Sequence, residues 1–552
     1  MSPLAFAGYT LLQLILIFAV FVSLCDICKR VLGLDDLLAF CAAVLALGVA
    51  GYACFWIAYA NYAVFVGVKI VLLGALLAHL GYAVFRRGLG AHVWLAEPLL
   101  YTLLFVVIVL ALGMSNGGFG DPIAVAATRF SQALPIDNVI PLILAEAIKS
   151  GVIASPLHND WLSSDRPPLQ AGLYLLLTPR SSLLSYQVVA SWLQATFLFG
   201  VWGLASAVAM PVAARRMILL ACCLLPTALI NTFYTWPKML AAGYLLLVFA
   251  LLFGRRPESD AERRIIGILI GGLAALAILS HGSSMFALIG FAVAVVVFWA
   301  WPPLKSMIYG AVTLLALYVP WIVYQNWIDP PGNRLLKWHL AGVTEVDSRP
   351  FLATLRESYG ALSWQDYLQG KIANFVPLVG AWPRNLLEPL RGSLSVETVR
   401  AGDFFHLLPS LHGFSLAFIS AVLLLPFVQG PRRDIALRML VTLAAILATF
   451  VSLIFTPGQT INHQGTYAVQ LIATMFAFMV LSLRASWLGW LFIALQTITV
   501  AATYAFSVKH DPALWPLLAI CAAATLVLFA YSLSPSLTPR SPRAAGGATA
   551  AR

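Results

Sequence analysis

Charge is scarce in this chain: Asp, Glu, Lys and Arg together make up 10% of its 552 residues. Soluble domains carry about 25%. The deficit excludes a soluble globular domain, an intrinsically disordered chain and a coiled coil, all of which need more charge in contact with water. Cysteine is sparse as well, with seven in all. Cys25, Cys28, Cys222 and Cys223 fall at span ends or on one side of the apolar runs, and Cys41, Cys54 and Cys521 fall within them. That distribution implies no disulfide framework and no zinc-ligand spacing. There is no dinucleotide fingerprint and no P-loop, so hydride transfer and P-loop phosphoryl transfer have no support. The start, MSPLAFAGYT, lacks a basic stretch ahead of its apolar run and reads as a first span rather than a cleavable signal. No internal repeat is visible.

What fills the chain is apolar. Hydrophobic residues make up 61% and the mean hydropathy is +0.90. Runs near 20 residues recur, each long enough to cross a hydrocarbon core of about 30 Å. The expected fold is an all-α, polytopic integral membrane bundle of about 13–15 spans, with two long outer-face loops that carry interfacial helices. Fifteen spans are placed at 4–24, 37–58, 63–85, 96–114, 185–210, 217–232, 238–254, 265–280, 284–301, 306–324, 411–428, 437–456, 465–483, 486–506 and 512–533.

The net charge of +11 becomes informative once it is placed on that span list. One side holds 18 Lys and Arg against 8 Asp and Glu, the other holds 14 of each, and Lys69 lies inside a span. Short loops rich in Lys and Arg stay cytoplasmic. The pattern predicts an outer N-terminus and a cytoplasmic C-terminus. The positive charge therefore reports topology and gives no reason to expect nucleic-acid binding. The chain divides into N-terminal spans (1–114), a first outer loop (115–184), central spans (185–324), a second outer loop (325–410), C-terminal spans (411–533) and a Ser/Pro/Ala-rich tail (534–552) that composition predicts to be disordered.

Chemistry is expected on the face where both long loops and the short polar loop 457–464 open. In the first loop, Asp137-Asn138 precedes the amphipathic stretch IPLILAEAIKSG. The knot His158, Asn159, Asp160, Trp161 follows, and then Asp165-Arg166-Pro167-Pro168-Leu169. Asp137 and Asp165 can each be a helix cap, with Pro141 and Pro167-Pro168 in first turns, and His158 can be an ordinary loop residue. Taken together they also suit chemistry: a carboxylate at the interface can act as general base, and Arg166 can face a phosphate.

These motifs resemble those of the GT-C superfold of polytopic membrane glycosyltransferases. In that group the first long outer loop carries an acidic pair near its start and a Pro-Pro-Leu segment after a short interfacial helix. The segments TWPKML (Thr235 to Leu240) and NHQGTYA (Asn462 to Ala468) also resemble parts of bacterial members. The resemblance covers about 115–470. It implies a bacterial inner-membrane enzyme, active on the periplasmic face, that takes sugar from a polyprenyl-phosphate carrier to a lipid, glycan or protein acceptor. Asn138 stands where the second acid is usual, so only Asp137 inherits the catalytic-acid position, and binding of a divalent metal is left open. No other cofactor is implied.

Further polar residues fall on the same face. Lys238 starts a helix at the interface, where a helix N-terminus plus a Lys makes an anion site; snorkelling is the plain alternative. His281 sits in an outer turn. In the second loop, Asp329-Pro330-Pro331-Gly332 is a turn, and Arg334, Lys337 and His339 follow, with Arg334 and Lys337 on one helical face that could hold phosphate. Arg384 and Arg391 come later. His463, beside Gln464, opens a span from outside, and Asn462 can be its cap.

The expected reaction is sugar transfer with inversion. Asp137 deprotonates the acceptor, while Lys238, Lys337 and Arg334 steady the leaving phosphate. Asn138, His158, Asp160, Asp165, Arg166, His339 and His463 are further substrate-binding candidates. Two other readings stand beside it. One is an O-antigen ligase or polymerase acting on a lipid carrier. The other is a multi-span transporter, which would show charges deep in the spans and helices broken at mid-depth.

Overall fold

A computed structural model describes residues 2–129, 134, 136–379, 412–458, 467–506 and 512–534. The fold is all-helical: among the described residues 82% are in helix and there is no strand. Among the described residues, nine helices are long and apolar enough to cross a membrane: Pro3–Val31, Asp36–Ala60, Tyr62–Arg87, Leu89–Asn116, Leu183–Ala207, Asp260–Ser280, Leu304–Ile328, Pro431–Leu453 and Pro512–Leu533. The chain is therefore an integral membrane protein built as a polytopic helical bundle.

The remaining expected spans take other forms. The span expected at 217–232 is two helices, Val212–Cys223 and Pro226–Tyr234, bent by 59° at Leu224–Leu225. Pro226 removes a backbone donor at that step. The carbonyl freed at Leu224 accepts from the buried Gln496 side chain at 3.0 Å. Five more are shorter apolar helices, among them Lys238–Phe253 and Ser284–Val297. The described residues of the fifteen expected runs lie mostly on helix, and nine or ten helices among them have the length and composition of a full crossing. A helix rises about 1.5 Å per residue, so those below about 18 residues fall short of the hydrocarbon thickness.

Polar side chains start these helices where the sequence turns. Asp35 accepts from the Leu38 amide at 2.9 Å, Asn61 from Val64 at 3.1 Å and Ser182 from Ser185 at 3.0 Å, each covering a donor that has no partner in the first turn. Between helices, glycine permits close approach. A Cβ on Gly271 would lie 2.0 Å from the Gly310 carbonyl oxygen, and one on Gly172 would lie 2.2 Å from that of Gly51. Such small-residue seams are how helices associate where water exclusion gives no drive. Leu183–Ala207 lies at the centre, 94% buried, and Tyr62–Arg87 lies at the periphery, 11% buried.

Lys69, expected inside a span, lies in the second turn of Tyr62–Arg87. Its ammonium donates to the Leu175 carbonyl at 2.6 Å and to that of Thr178, at the end of helix Leu169–Leu177. It closes orphan carbonyls at the end of that helix.

The first long loop is mostly helical. It contains Pro122–Thr128, a 3-10 turn at Ile136–Val139, the amphipathic helix Ile140–Ser150 ended by left-handed Gly151, and helix Leu169–Leu177. The described part of the second loop holds Arg334–Ala341, Phe351–Gly360 and Trp364–Val379. His463, Arg384, Arg391 and the tail from 535 lie outside the described residues.

Candidate active site

Asp137 does not cap the helix that follows it. Val139 holds that position without a side-chain bond, and Pro141 is in the first turn. The Asp137 carboxylate turns instead toward the span ends. One oxygen accepts from the Tyr234 hydroxyl at 2.7 Å and the other forms an ion pair with Arg166. Lys238 is buried close by, within electrostatic reach of both Asp137 and Arg166, with its ammonium 3.7 Å from the Trp236 ring centre. His281 completes this edge, its ring 6.4 Å from that of Trp236 and its Nδ1 2.7 Å from the Ser283 hydroxyl. Three segments far apart in sequence thus meet around one carboxylate and two cations.

Beneath this group lies a buried amide and hydroxyl network. Thr235 takes a left-handed backbone, φ 64°, at the end of Pro226–Tyr234, which swings Trp236 and Lys238 into place. Its carbonyl accepts from Gln170 at 3.0 Å; Gln170 also donates to the Tyr186 hydroxyl at 2.9 Å, and Gln194 donates to Gln170 at 3.1 Å. Gln194 in turn accepts from the Leu240 amide at 3.2 Å. One first-turn amide of the Lys238 helix, that of Leu240, is therefore committed to Gln194.

Asn138 is 1% exposed and faces the other way. Its amide donates to the Ile123 carbonyl at 3.4 Å, and its own carbonyl accepts from Tyr186 at 2.8 Å. Its contacts belong to the packing behind Asp137. Among the described residues no group of three or more His, Cys, Asp or Glu is placed to hold a metal ion.

Arg334 and Asp165 form a clasp between the two long loops. Both side chains are buried, 3.2 Å apart. Arg334 also pairs with Asp160 and donates to the Thr344 carbonyl at 2.9 Å. Asp165 accepts from the Leu162 amide at 2.9 Å and does not cap helix Leu169–Leu177, whose first flanking residue is Pro168. Burial pushes the Asp165 carboxyl above the usual range, against the opposing pull of the Leu162 amide and Arg334. A second tie runs beside it: Asp329 accepts from the Ser163 hydroxyl at 2.6 Å and the Ser164 amide at 3.0 Å. Trp161 lies against both arginines, 4.3 Å from the Arg166 guanidinium and 5.4 Å from that of Arg334.

Lys337 is fully buried and donates to the Arg349 carbonyl at 2.6 Å and to that of Asp347. It shares a face with Arg334, as their spacing predicts, but both cations are spent on the second loop's own fold and its seam with the first. His339, half-buried, gives its carbonyl to the Phe455 amide at 2.8 Å. His158 is in the turn closed by its backbone bridge to Trp161 and lies 3.2 Å from the Asn159 amide.

No family model, curated protein or solved structure matches this chain. The reading of the site therefore rests on its own geometry. Of the residues expected from the sequence, Asp137, Arg166, Lys238 and His281 come together. Asp160, Asp165, Arg334 and Lys337 form the adjoining seam. Trp161, read in the sequence as part of the loop knot, lies against both arginines, and Tyr234 takes part without having been singled out for it. The only sequence signal for Tyr234 was its place in TFYTWPK, where an aromatic belt explains it equally well.

Proposed function

We propose that this protein is a membrane glycosyltransferase that moves a sugar from a polyprenyl-phosphate donor to a hydroxyl or amine of a lipid, glycan or protein acceptor. The supporting observation is the convergence of Asp137, Arg166 and Lys238 at the end of the bundle that carries both long loops. A lipid-linked phosphate at that depth meets two cations in a largely buried setting, where fixed charge acts most strongly.

In this reading Arg166 leaves Asp137 for the donor phosphate when substrate enters, and Lys238 meets the same anion. The freed carboxylate takes the acceptor proton. The acceptor oxygen or nitrogen forms its bond to the anomeric carbon as the carbon–oxygen bond to phosphate breaks, and the electron pair leaves on the phosphate. Base and leaving group act from opposite faces, so the configuration inverts. The clasp through Arg334 and Asp165 holds the second loop over the first. The topology proposed with this reading puts the site on the periplasmic face of a bacterial inner membrane, with the N-terminus outside and the C-terminus in the cytoplasm. The resemblance to the GT-C superfold supports the same assignment.

The bent span Val212–Tyr234 favours a second reading, transport, because interrupted helices often mark carrier sites. The residues at its bend, Cys223 to Thr227, carry no charge. An O-antigen ligase or polymerase remains the rival among lipid-carrier enzymes. The deciding experiment is transfer of radiolabelled sugar from polyprenyl-phosphate donors by purified protein, wild type beside Asp137→Asn. Release of free carrier that depends on Asp137 supports the transferase. No release by folded protein from any donor returns the weight to the ligase and transport readings.

A further inference from the structure

A second charged cluster lies at the opposite end of the bundle. Asp26 is 3% exposed, and basic groups from three elements converge on it. Arg30 Nε lies 2.7 Å away, one turn along the same helix. Arg87 Nη2 at 2.9 Å and His79 Nε2 at 3.0 Å come from Tyr62–Arg87, and His92 Nε2 at 3.3 Å comes from the 3-10 segment Leu89–Leu95. Nearby Lys29 is balanced by Asp36. Arg86, exposed, stacks over Tyr82 at 5.9 Å, and no described carboxylate pairs with it. Two guanidiniums, of Arg30 and Arg87, thus face one carboxylate, Arg86 adds an unmatched third charge beside them, and the corner keeps a cationic excess.

The surroundings say what sort of anion can reach it. The long helix Tyr62–Arg87 is only 11% buried and turns its apolar length outward. At its end Phe85 is 86% exposed, and Leu89, Val93 and Val31 beside the arginines are exposed as well. His92 is nine-tenths buried among these elements, and its Nδ1 has no hydrogen-bond partner. An apolar rim joined to a cationic corner at the end of a lipid-facing helix matches a molecule with acyl chains and an anionic head. Basic pockets between spans bind such heads.

We infer that this corner binds the phosphodiester headgroup of an anionic membrane lipid, with Arg30, Arg86 and Arg87 as its cationic contacts and Phe85, Leu89 and Val93 against the chains. The inference does not depend on the reaction at the other end of the bundle.

The test is native mass spectrometry of the full chain released from nanodiscs of equal phosphatidylglycerol and phosphatidylcholine, whose acyl chains are matched. Retention of phosphatidylglycerol over phosphatidylcholine by about fivefold is expected, the factor carried by roughly one cation near an anionic surface. Arg86→Ala makes no described ion pair worse and is expected to remove most of that preference with an unchanged melting temperature. Arg30→Gln with Arg86→Ala is expected to abolish it. Equal retention of the two lipids, or a preference that survives Arg86→Ala, overturns the inference. Displacement of the lipid by inorganic phosphate would assign the corner to a soluble anion and overturn it as well.

Discussion

Arg166 and Asp137, 29 residues apart in the chain, form an ion pair whose side chains are 13% and 8% exposed. The pair joins the two motifs of the first loop into one unit. It sets the Asp137 carboxylate between Arg166 and the Tyr234 hydroxyl. A positioned base contributes about 10²–10⁴ in rate. Asp137→Asn is expected to lower sugar transfer by that range while leaving the melting temperature near wild type. Wild-type turnover in that variant would remove Asp137 as the base. Tyr234→Phe, which removes one hydrogen bond to the carboxylate, should cost far less.

Lys238 is expected to act on the donor and not on the acceptor. Losing a charge-assisted contact of about 1.5–3 kcal/mol corresponds to a factor of ten or more. Lys238→Ala should therefore weaken binding of polyprenyl phosphate by at least that factor in titration calorimetry. Lys238→Arg should keep part of the affinity. An unchanged affinity in Lys238→Ala would return the residue to snorkelling.

The clasp should show the asymmetry of buried ion pairs. Breaking one from a single side costs about 3–5 kcal/mol, because the remaining charge is left without compensation. Arg334→Ala is expected to lower the melting temperature and open the 158–168 segment to protease. Adding Asp165→Asn to that variant should recover much of the loss. A double variant as unstable as the single would mean that packing, and not charge, sets the cost.

Asp165 also gives the clasp a pH dependence of uncommon sign. Its folded-state pKa is raised by burial, so the folded protein binds that proton more tightly than the unfolded chain. Its contribution is full below the unfolded value near 3.8 and is lost as pH rises through the raised one. Protection of 158–168 in hydrogen exchange should therefore increase as pH falls toward that window, and Asp165→Asn should flatten the trend. Asp347 acts in reverse: the Arg349 amide heads the contacts that hold its carboxyl below the usual range, so its contribution fades in acid. A fall in protection at 158–168 from neutral pH downward would reject the role given to Asp165.

Topology can be tested on the second loop. Glu345 is exposed, and the native cysteines are buried apart from Cys521, which is half-buried. Glu345→Cys is expected to react with an impermeant maleimide on intact cells. Protection there, with labelling only after lysis, would reverse the proposed orientation.

Much of the fold was legible in the sequence because lipid imposes a simple requirement. Each crossing must satisfy its own backbone, so apolar length by itself marks a helix. That is why the described residues of the expected runs lie mostly on helix. The bend at Leu224–Leu225 was only partly legible: Pro226 marks a missing donor in the sequence, but the partner that meets the Leu224 carbonyl, Gln496, comes from a span more than 270 residues away. The cluster around Asp26 escaped notice for a related reason: its members sit among residues that topology already explained as inner-side positives.

Membrane class, helical architecture and the polar residues from which a site can be built are all readable along the chain. Hydropathy and loop charge are properties of contiguous segments, and contiguous segments are what a sequence displays. Only the tertiary structure decided which of those residues act together. Arg334 and Lys337 look as fit for phosphate as Arg166 and Lys238 when read along the chain. Packing commits the first two to carboxylates and carbonyls of the loops themselves, and gathers the second two around Asp137. The physical reason is that a buried cation must be met by the partner nearest in space, and that partner is set by how helices pack.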